Sequence, residues 1–328
     1  MRKILLSVLL GVLLFAGGVF CGKYLFLQDI KETIDHSVTY ESRLGKGFSF
    51  INPLLECNIA QFTGRGLNIL DDKLQNLIAK LKNQGKVVDV AIYYRDLNNG
   101  PWFGINEKMD FSPASLLKLP VLMAYYKQAE ITPEILKQKI TISGKKYVIP
   151  QDIVPKMALE EGKSYTVEEL LERMIVYSDN QALVLLSENI SEELINKVTI
   201  DLGIVTPTEN SALVDFMTVK DYSGLFRVLF NASYLNQEYS EKALKLLSNS
   251  DFKSGIVAGV GKDVVVAHKM GEREISASIK QLHDCGIVYI PNNPYLLCIM
   301  TRGKDFTELS SVIRDISSTV HLELQKRN

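Results

Sequence analysis

The stretch FSPASLLKLPVLMAYY, residues 111–126, sets Ser115 and Lys118 into a segment that is otherwise almost wholly apolar. The letters SPAS are typical of a helix start, so the residues that follow are predicted to be helical. Residues three apart lie on one face of a helix, which brings the Ser115 hydroxyl and the Lys118 amine within hydrogen-bond reach. A serine becomes a good nucleophile when a base takes its proton, and apolar surroundings lower the pKa of an amine enough for that role. The pair therefore predicts a nucleophile and its base.

The spacing Ser-x-x-Lys is a short pattern with a high rate of chance matches. It recurs at Ser143/Lys146 and Ser250/Lys253, in the polar, loop-like segments TISGKKY and SNSDFKSG. Only Ser115 is followed by a long apolar segment, so we interpret the other two as chance matches. The alternative for Lys118 is a structural lysine that lays its methylenes on apolar surface and reaches solvent with its amine.

Two further motifs follow the first along the chain. The segment MIVYSDNQALVLL, residues 174–186, carries Ser178-Asp179-Asn180 in a helical context, and VVVAHKMGE, residues 264–272, is a strand-like run ending in Lys269-Met270-Gly271. Taken alone, the first is also compatible with a loop stabilised by local side-chain capping. A lone lysine at a strand end is usually solvated.

The composition is that of a globular protein, with 46% hydrophobic and 23% charged residues among 328. A net charge of -1 gives no electrostatic footprint for nucleic acid, which we exclude as a partner. The four histidines are scattered and no Cys/His cluster has metal-ligand spacing, so we expect neither a metal nor another cofactor. An exported protein could oxidise Cys285 and Cys298, but both lie in strand-like runs, where small buried thiols are common, and we expect them to be such thiols.

The N-terminus predicts a membrane segment. Arg2 and Lys3 precede an uncharged stretch over residues 4–22, which indicates a single-pass anchor or a secretory signal with its N-terminus inside. We expect an uncleaved anchor over residues 1–23, a spacer over 24–59 and an extracytoplasmic domain over 60–328. Cleavage near residues 16–18 would make the protein secreted instead.

The order of helices and strands predicts an α/β domain. Periodicity predicts a helix over residues 70–81 and strands over 87–97, 100–106, 263–271, 279–290 and 295–303. A closing helix follows, with a capping box at Asp305 and Glu308 and an apolar stripe. The predicted stripe consists of Phe306, Leu309, Ile313, Ile316 and Val320. Strands at both ends imply one sheet from distant segments, with a helical lobe inserted over about residues 108–250.

Together and in this order, the three motifs resemble those of the penicillin-recognising serine hydrolases, most of all the class A β-lactamases. The resemblance extends over about residues 60–328. It implies the β-lactamase/transpeptidase-like fold, an antiparallel sheet flanked by N- and C-terminal helices plus a helical lobe. It also implies an acyl-enzyme formed with β-lactams or D-alanyl peptides of peptidoglycan.

The resemblance implies a role for each matching residue. Ser115 would be the acylated nucleophile and Lys118 its base, while Ser178 would pass a proton toward the leaving nitrogen. Asn180 would bind a substrate amide, and Lys269 would supply positive charge near Ser178 and the substrate carboxylate.

The strand end would complete the site. Gly271 would let the substrate approach the strand, and the oxyanion hole would use the backbone N–H groups of Ser115 and Glu272. Asp179 would be structural.

Two positions depart from the family pattern. Met270 replaces the usual threonine and removes a hydroxyl that helps to bind the substrate carboxylate. The loop that carries the deacylating glutamate is shortened, and Glu209 is its only candidate, without the expected flanking residues. We therefore expect slow release of the acyl-enzyme. The alternatives are a D,D-peptidase with little β-lactam turnover and a non-catalytic module that binds a wall peptide.

Overall fold

The computed structural model describes residues 37–43, 47–61, 65–98, 100–142, 155, 159–207 and 215–326. The described strands are β1 (Ser37–Arg43), β2 (Leu54–Gln61), β3 (Asp89–Asp96), β4 (Trp102–Ile105), β5 (Asp110–Phe111), β6 (Lys139–Thr141), β7 (Ser164–Thr166), β8 (Met217–Thr218), β9 (Val265–Ser276), β10 (Ile279–Tyr289) and β11 (Tyr295–Gly303). The described helices are α1 (Arg65–Asn83), α2 (Lys118–Ala129), α3 (Val167–Val176), α4 (Asn180–Glu188), α5 (Glu192–Asp201), α6 (Val219–Phe230), α7 (Gln237–Ser248), α8 (Ile256–Val260) and α9 (Phe306–Gln325). Short 3₁₀ helices cover Ala114–Leu117 and Pro133–Lys137.

The predicted antiparallel sheet is confirmed. Its order is β4-β3-β11-β10-β9, so strands from both ends of the chain meet at β3 and β11. β11 is buried along nearly its whole length, because helices cover both faces of the sheet and leave no polar side. The helices α2 to α7 all come from the segment between β4 and β9.

Each face of the sheet has its own apolar core. On one face, α1, α8 and α9 cover the sheet, and this core includes Leu74, Val90, Ile256, Ile299 and Ile313. On the other face α6 packs on β3, β10 and β11, and the core continues from there into the helical lobe. Successive side chains of each strand point to opposite faces of the sheet, so they pack alternately against the terminal helices and against the helical lobe.

The closing helix α9 begins where the sequence predicts. The Asp305 carboxylate accepts hydrogen bonds from the backbone N–H groups of Thr307 and Glu308, at 2.9 and 3.0 Å. The predicted stripe is buried at Leu309, Ile313, Ile316 and Val320. Phe306 differs, since it is only partly buried at the first turn and lies under the Lys280 ammonium group.

Part of the predicted spacer is structured. β1 pairs with β2 in an antiparallel manner, and residues 49–51 dock onto the helical lobe. The Glu241 carboxylate accepts hydrogen bonds from the backbone N–H groups of Ser49, Phe50 and Ile51 at 2.8 to 2.9 Å. Phe50 also contacts the Tyr289 ring edge-on, and its carbonyl accepts the Tyr289 hydroxyl. The sequence does not predict this docking, because the segment has no apolar periodicity and its hydrogen bonds are made by backbone groups.

The predicted membrane segment, residues 1–23, lies outside the described residues. Among the residues that the structure describes, no helix combines the length and the apolar character needed to cross a membrane. Within the same ranges, no group of three or more His, Cys, Asp or Glu side chains could hold a metal ion.

The expectation of two free thiols at Cys285 and Cys298 is wrong. The two residues are buried as expected, but they are direct cross-strand partners on β10 and β11 and are joined by a disulfide. Each cysteine lies three residues from the Val288–Tyr295 pair that ends the ladder at the turn, so the hairpin register sets them opposite each other.

Candidate active site

Ser115 lies in the 3₁₀ turn that leads into α2, as the helix-start signal predicts. The turn is tight: Ala114 has a positive φ of 48°, and the Leu116 N–H donates to the Pro113 carbonyl at 2.9 Å. The Tyr222 hydroxyl donates to the Leu116 carbonyl at 3.2 Å and ties the turn to α6. A positive φ at a non-glycine residue is sparsely populated, so surrounding contacts must hold this turn in place.

Lys118 points into the site, so its amine does not reach solvent as the structural alternative requires. Its side chain is 1% exposed, and Nζ lies 3.0 Å from Ser115 Oγ. Nζ also contacts Ser178 Oγ at 3.1 Å, Asn180 Oδ1 at 2.6 Å and the Ser178 carbonyl oxygen. The amine therefore joins the first motif to the second.

Burial decides the protonation of this amine. It lowers the pKa of Lys118 to about 7, although the carboxylates of Asp179 and Glu272 act in the opposite direction. A large share of the protein thus carries a neutral Lys118 near pH 7. A neutral amine 3.0 Å from a hydroxyl can accept its proton, which is the role that general-base catalysis requires.

Ser178 and Asp179 lie between α3 and α4. The Asp179 carboxylate caps α4 by accepting from the N–H groups of Gln181 and Ala182 at 2.8 and 3.2 Å, the structural role predicted for it. Ser178 has a positive φ of 55° and is buried. The cap and this backbone conformation together aim the Ser178 hydroxyl at the two lysines.

Lys269 brings the third motif to the same hydroxyl. Its Nζ donates to Ser178 Oγ and to the Met270 carbonyl, both at 2.9 Å, from a fully buried position on β9. Burial and the nearby Lys118 lower the pKa of Lys269 well below its usual value, while Asp284 and Glu272 oppose that shift. The three motifs therefore share one set of contacts around Ser178.

Gly271 allows β9 to lie directly against the nucleophile turn. A Cβ at this position would come within 2.8 Å of the Leu116 side chain and 3.0 Å of the Pro113 carbonyl oxygen. The close packing sets the next residue, Glu272, beside the turn that carries Ser115. The Glu272 carboxylate raises the pKa of both Lys118 and Lys269, which the motif alone does not indicate.

A cavity of about 340 Å³ opens beside Ser178 and Lys269. Met270 lines it, together with Phe252 and Tyr177. Ser250 and Lys253 also line it, although they lie in the loop between α7 and α8 and do not form a helical pair. Sequence spacing gives no signal for this loop, which the Asp251 N–H ties to the end of α3 by donating to the Val176 carbonyl at 2.9 Å.

Apart from the N-terminal segment, three residues singled out in the sequence fall outside the described part of the chain. Glu209, the candidate for deacylation, is one of them, and the chance match Ser143/Lys146 supplies the others. The role of Glu209 stays a prediction. The structure does bring Ser115, Lys118, Ser178, Asn180, Lys269, Gly271 and Glu272 into one region, and their catalytic and binding roles also stay predictions.

Comparison with known proteins agrees with this geometry. The chain is 24% identical to β-lactamase VEB-1 of Pseudomonas aeruginosa in an alignment of 273 residues that covers 74% of this chain and 88% of the relative. A class A β-lactamase structure from Bacteroides cellulosilyticus superposes with a TM-score of 0.66 at 19% identity, covering 78% of this chain and 99% of the other.

A mutant of PBP-A, as an acyl-enzyme complex with penicillin G, has a similar fold, with a TM-score of 0.65 at 21% identity over 78% of this chain and 97% of that one. The sequence model of the Beta-lactamase enzyme family matches residues 69–324. The match covers most of the chain, including all three motifs, and the fold is that of the class A enzymes. This chain is therefore a member of the Beta-lactamase enzyme family, a β-lactamase-like serine hydrolase.

Proposed function

We propose that the protein is a membrane-anchored, extracytoplasmic hydrolase that forms an acyl-enzyme with β-lactams at Ser115. One observation carries the proposal: Lys118 Nζ lies 3.0 Å from Ser115 Oγ in a buried site where its pKa is about 7. A base poised near the working pH is what activation of a serine requires. VEB-1 is named a β-lactamase and PBP-A is described as an acyl-enzyme with penicillin G, which supports the same substrate class here.

The acylation step can be written with these residues. Ser115 Oγ bonds to the β-lactam carbonyl carbon while its proton passes to neutral Lys118 Nζ. Backbone N–H groups of Ser115 and Glu272 would stabilise the oxyanion. When the amide C–N bond breaks, the nitrogen takes the Ser178 hydroxyl proton, and Ser178 recovers a proton from one of the two lysines that contact it.

Release of the acyl group is the slow step of the proposed cycle. A water must attack the Ser115 ester, and its general base would have to come from the shortened loop that carries Glu209. Without such a base, hydrolysis slows by about 100-fold to 10,000-fold, and the acyl-enzyme accumulates.

The experiment that tests the proposal is a pre-steady-state assay with the purified fragment from residue 47 onward. Penicillin G should give a burst of about one equivalent followed by slow turnover, and Ser115→Ala should abolish both phases. A D-alanyl-D-alanine peptide run in parallel separates the D,D-peptidase alternative, which predicts faster turnover of the peptide. A binding module would give saturable binding with no burst.

The location is tested separately. In cells that express the full chain, the domain should be degraded by protease added outside the cytoplasmic membrane, and it should stay in the membrane fraction after a salt wash. Replacement of residues 1–23 by a cleavable secretory signal should release an active soluble protein. Protection from external protease would contradict the proposed orientation.

A further inference from the structure

Ser112, three residues before the nucleophile, is held by side chains from the sheet at all three of its polar groups. Its N–H donates to Gln281 Oε1 at 2.9 Å, its carbonyl contacts His283 Nε2 at 3.0 Å, and its hydroxyl accepts from Arg273 Nη1 at 2.8 Å. Ser112 is 1% exposed, so these partners replace solvent. None of the three motifs includes these residues.

The hydrogen-bond directions in this network follow from the partners. The Thr301 N–H donates to His283 Nδ1 at 3.3 Å, so the proton of the neutral ring lies on Nε2 and is donated to the Ser112 carbonyl. Burial lowers the pKa of His283 to about 4, which keeps the ring neutral above pH 5.

Gln281 is the centre of the network. Its side chain is 0% exposed, and its cross-strand neighbours are Arg273 on β9 and Arg302 on β11. Its Oε1 must face the Ser112 N–H, because only the oxygen can accept, so Nε2 donates to Asp215 Oδ1 at 2.9 Å. The other Asp215 oxygen accepts from Arg302 Nη2 at 2.7 Å. One amide thus joins the turn before Ser115 to the ion pair between Asp215 and Arg302 of β11.

The short path from Ser112 to Ser115 makes this network relevant to catalysis. Pro113 has a fixed φ and Ala114 has a φ of 48°, so the intervening residues have little freedom to absorb a displacement. On the far side, Leu116 is already in close contact with β9 at Gly271. A shift of Ser112 would therefore move the Ser115 hydroxyl relative to Lys118.

We propose that Gln281 is a positioning residue for acylation, which couples the Asp215–Arg302 pair to the Ser112 backbone and so fixes the Ser115 hydroxyl against Lys118. The inference rests on the proposed acylation of Ser115. It adds a residue that touches neither substrate nor the reacting atoms, and it predicts that the rate of acylation depends on the direction of one buried hydrogen bond.

An exchange of the two partners tests the coupling. In Gln281→Glu the side chain still accepts from Ser112 but faces the Asp215 carboxylate with a second acceptor. In Asp215→Asn the NH2 group of the new amide must face either Gln281 Nε2 or Arg302 Nη2, and in both orientations a donor faces a donor. The double variant restores all three hydrogen bonds. The new amide at position 215 would accept from Arg302 and donate to the new carboxylate at position 281, so only the bond between positions 215 and 281 reverses its direction. The total charge of the double variant is that of the parent.

The readout is the first-order rate constant of adduct formation at saturating penicillin G, followed by intact mass together with the fraction of protein that reacts. Each single variant should react completely but about 10-fold to 100-fold more slowly, the range expected when a reacting atom is slightly misplaced. The double variant should recover most of the parent rate. Ser317→Ala, which removes a buried hydrogen bond from α9 to the Ile256 carbonyl of α8, should leave the rate constant unchanged.

A merely structural role would lower the reactive fraction or the melting temperature and leave the rate constant of the folded protein intact. That result, or a double variant as slow as the product of the two single effects, would overturn the inference. If Gln281→Glu does not fold, Gln281→Met, which keeps the length but cannot bond, takes its place and should also react slowly. Absence of any adduct in the parent would instead contradict the proposed function.

Discussion

Lys118 and Lys269 meet at one oxygen, with their Nζ atoms 3.1 and 2.9 Å from the Ser178 hydroxyl. Two ammonium groups around one small hydroxyl would repel each other, and both lysines are buried. Burial lowers the pKa of Lys118 to about 7, and the carboxylates of Asp179 and Glu272 oppose that shift without removing it. The arrangement keeps an amine available as a base at the position where the three motifs converge.

The first prediction concerns pH. Acylation needs the neutral form of Lys118, so its rate should be low when the ammonium form predominates, rise as pH passes the Lys118 pKa of about 7, and level off above it. Lys118→Arg keeps a cation that cannot give up its proton, and it should form no adduct at any pH. Lys127→Arg, on the same helix, should keep the parent profile. A rate that falls as pH rises through 7 would contradict a lysine base.

The second prediction concerns Glu272. Its carboxylate raises the pKa of Lys118, so Glu272→Gln should lower that pKa further and move the midpoint of the acylation profile to lower pH. Glu274→Gln, which removes a charge that pairs with Lys280 on the neighbouring strand, is the matched control and should leave the midpoint in place. An unchanged or more alkaline midpoint in Glu272→Gln would show that this carboxylate does not act on the base.

The third prediction concerns Met270, which stands where the family usually has threonine. Met270→Thr would set a hydroxyl in the cavity beside Lys269, and one added hydrogen bond to the substrate carboxylate should raise the second-order acylation rate about tenfold. Met270→Val is the control, because valine has the shape of threonine without the hydroxyl. It shows what the loss of the buried methionine does by itself. Equal rates for the two variants would mean that the cavity does not bind the carboxylate at this position.

The fourth prediction concerns the segment before the domain. Glu241→Ala removes the acceptor of three backbone N–H groups, those of Ser49, Phe50 and Ile51, and should lower the free energy of unfolding by about 1–3 kcal/mol. Denaturant unfolding of the fragment from residue 47 onward measures this change. In a fragment that starts at residue 62 the same substitution should have almost no effect, because the three donors are absent. A full effect there would assign Glu241 a different role.

The sequence predicts those parts of the structure that depend on local spacing. Ser115 and Lys118 are three residues apart on a helical turn, and their contact follows directly from helix geometry. The hairpin of β10 and β11 follows from alternation around a turn, and the same register could have paired Cys285 with Cys298. The contacts around Ser112 could not be predicted in this way. Ser112 and Gln281 are 169 residues apart, and a buried glutamine has no pattern that distinguishes it from one in solvent.

Intact-mass analysis of the purified domain with penicillin G, followed by peptide mapping of the adduct, shows whether Ser115 is the acylated nucleophile. We expect one adduct of the mass of the intact drug, located on Ser115, that persists over many minutes and is absent in Ser115→Ala. An adduct that survives Ser115→Ala, or saturable drug binding with no covalent adduct in the parent, would contradict that assignment.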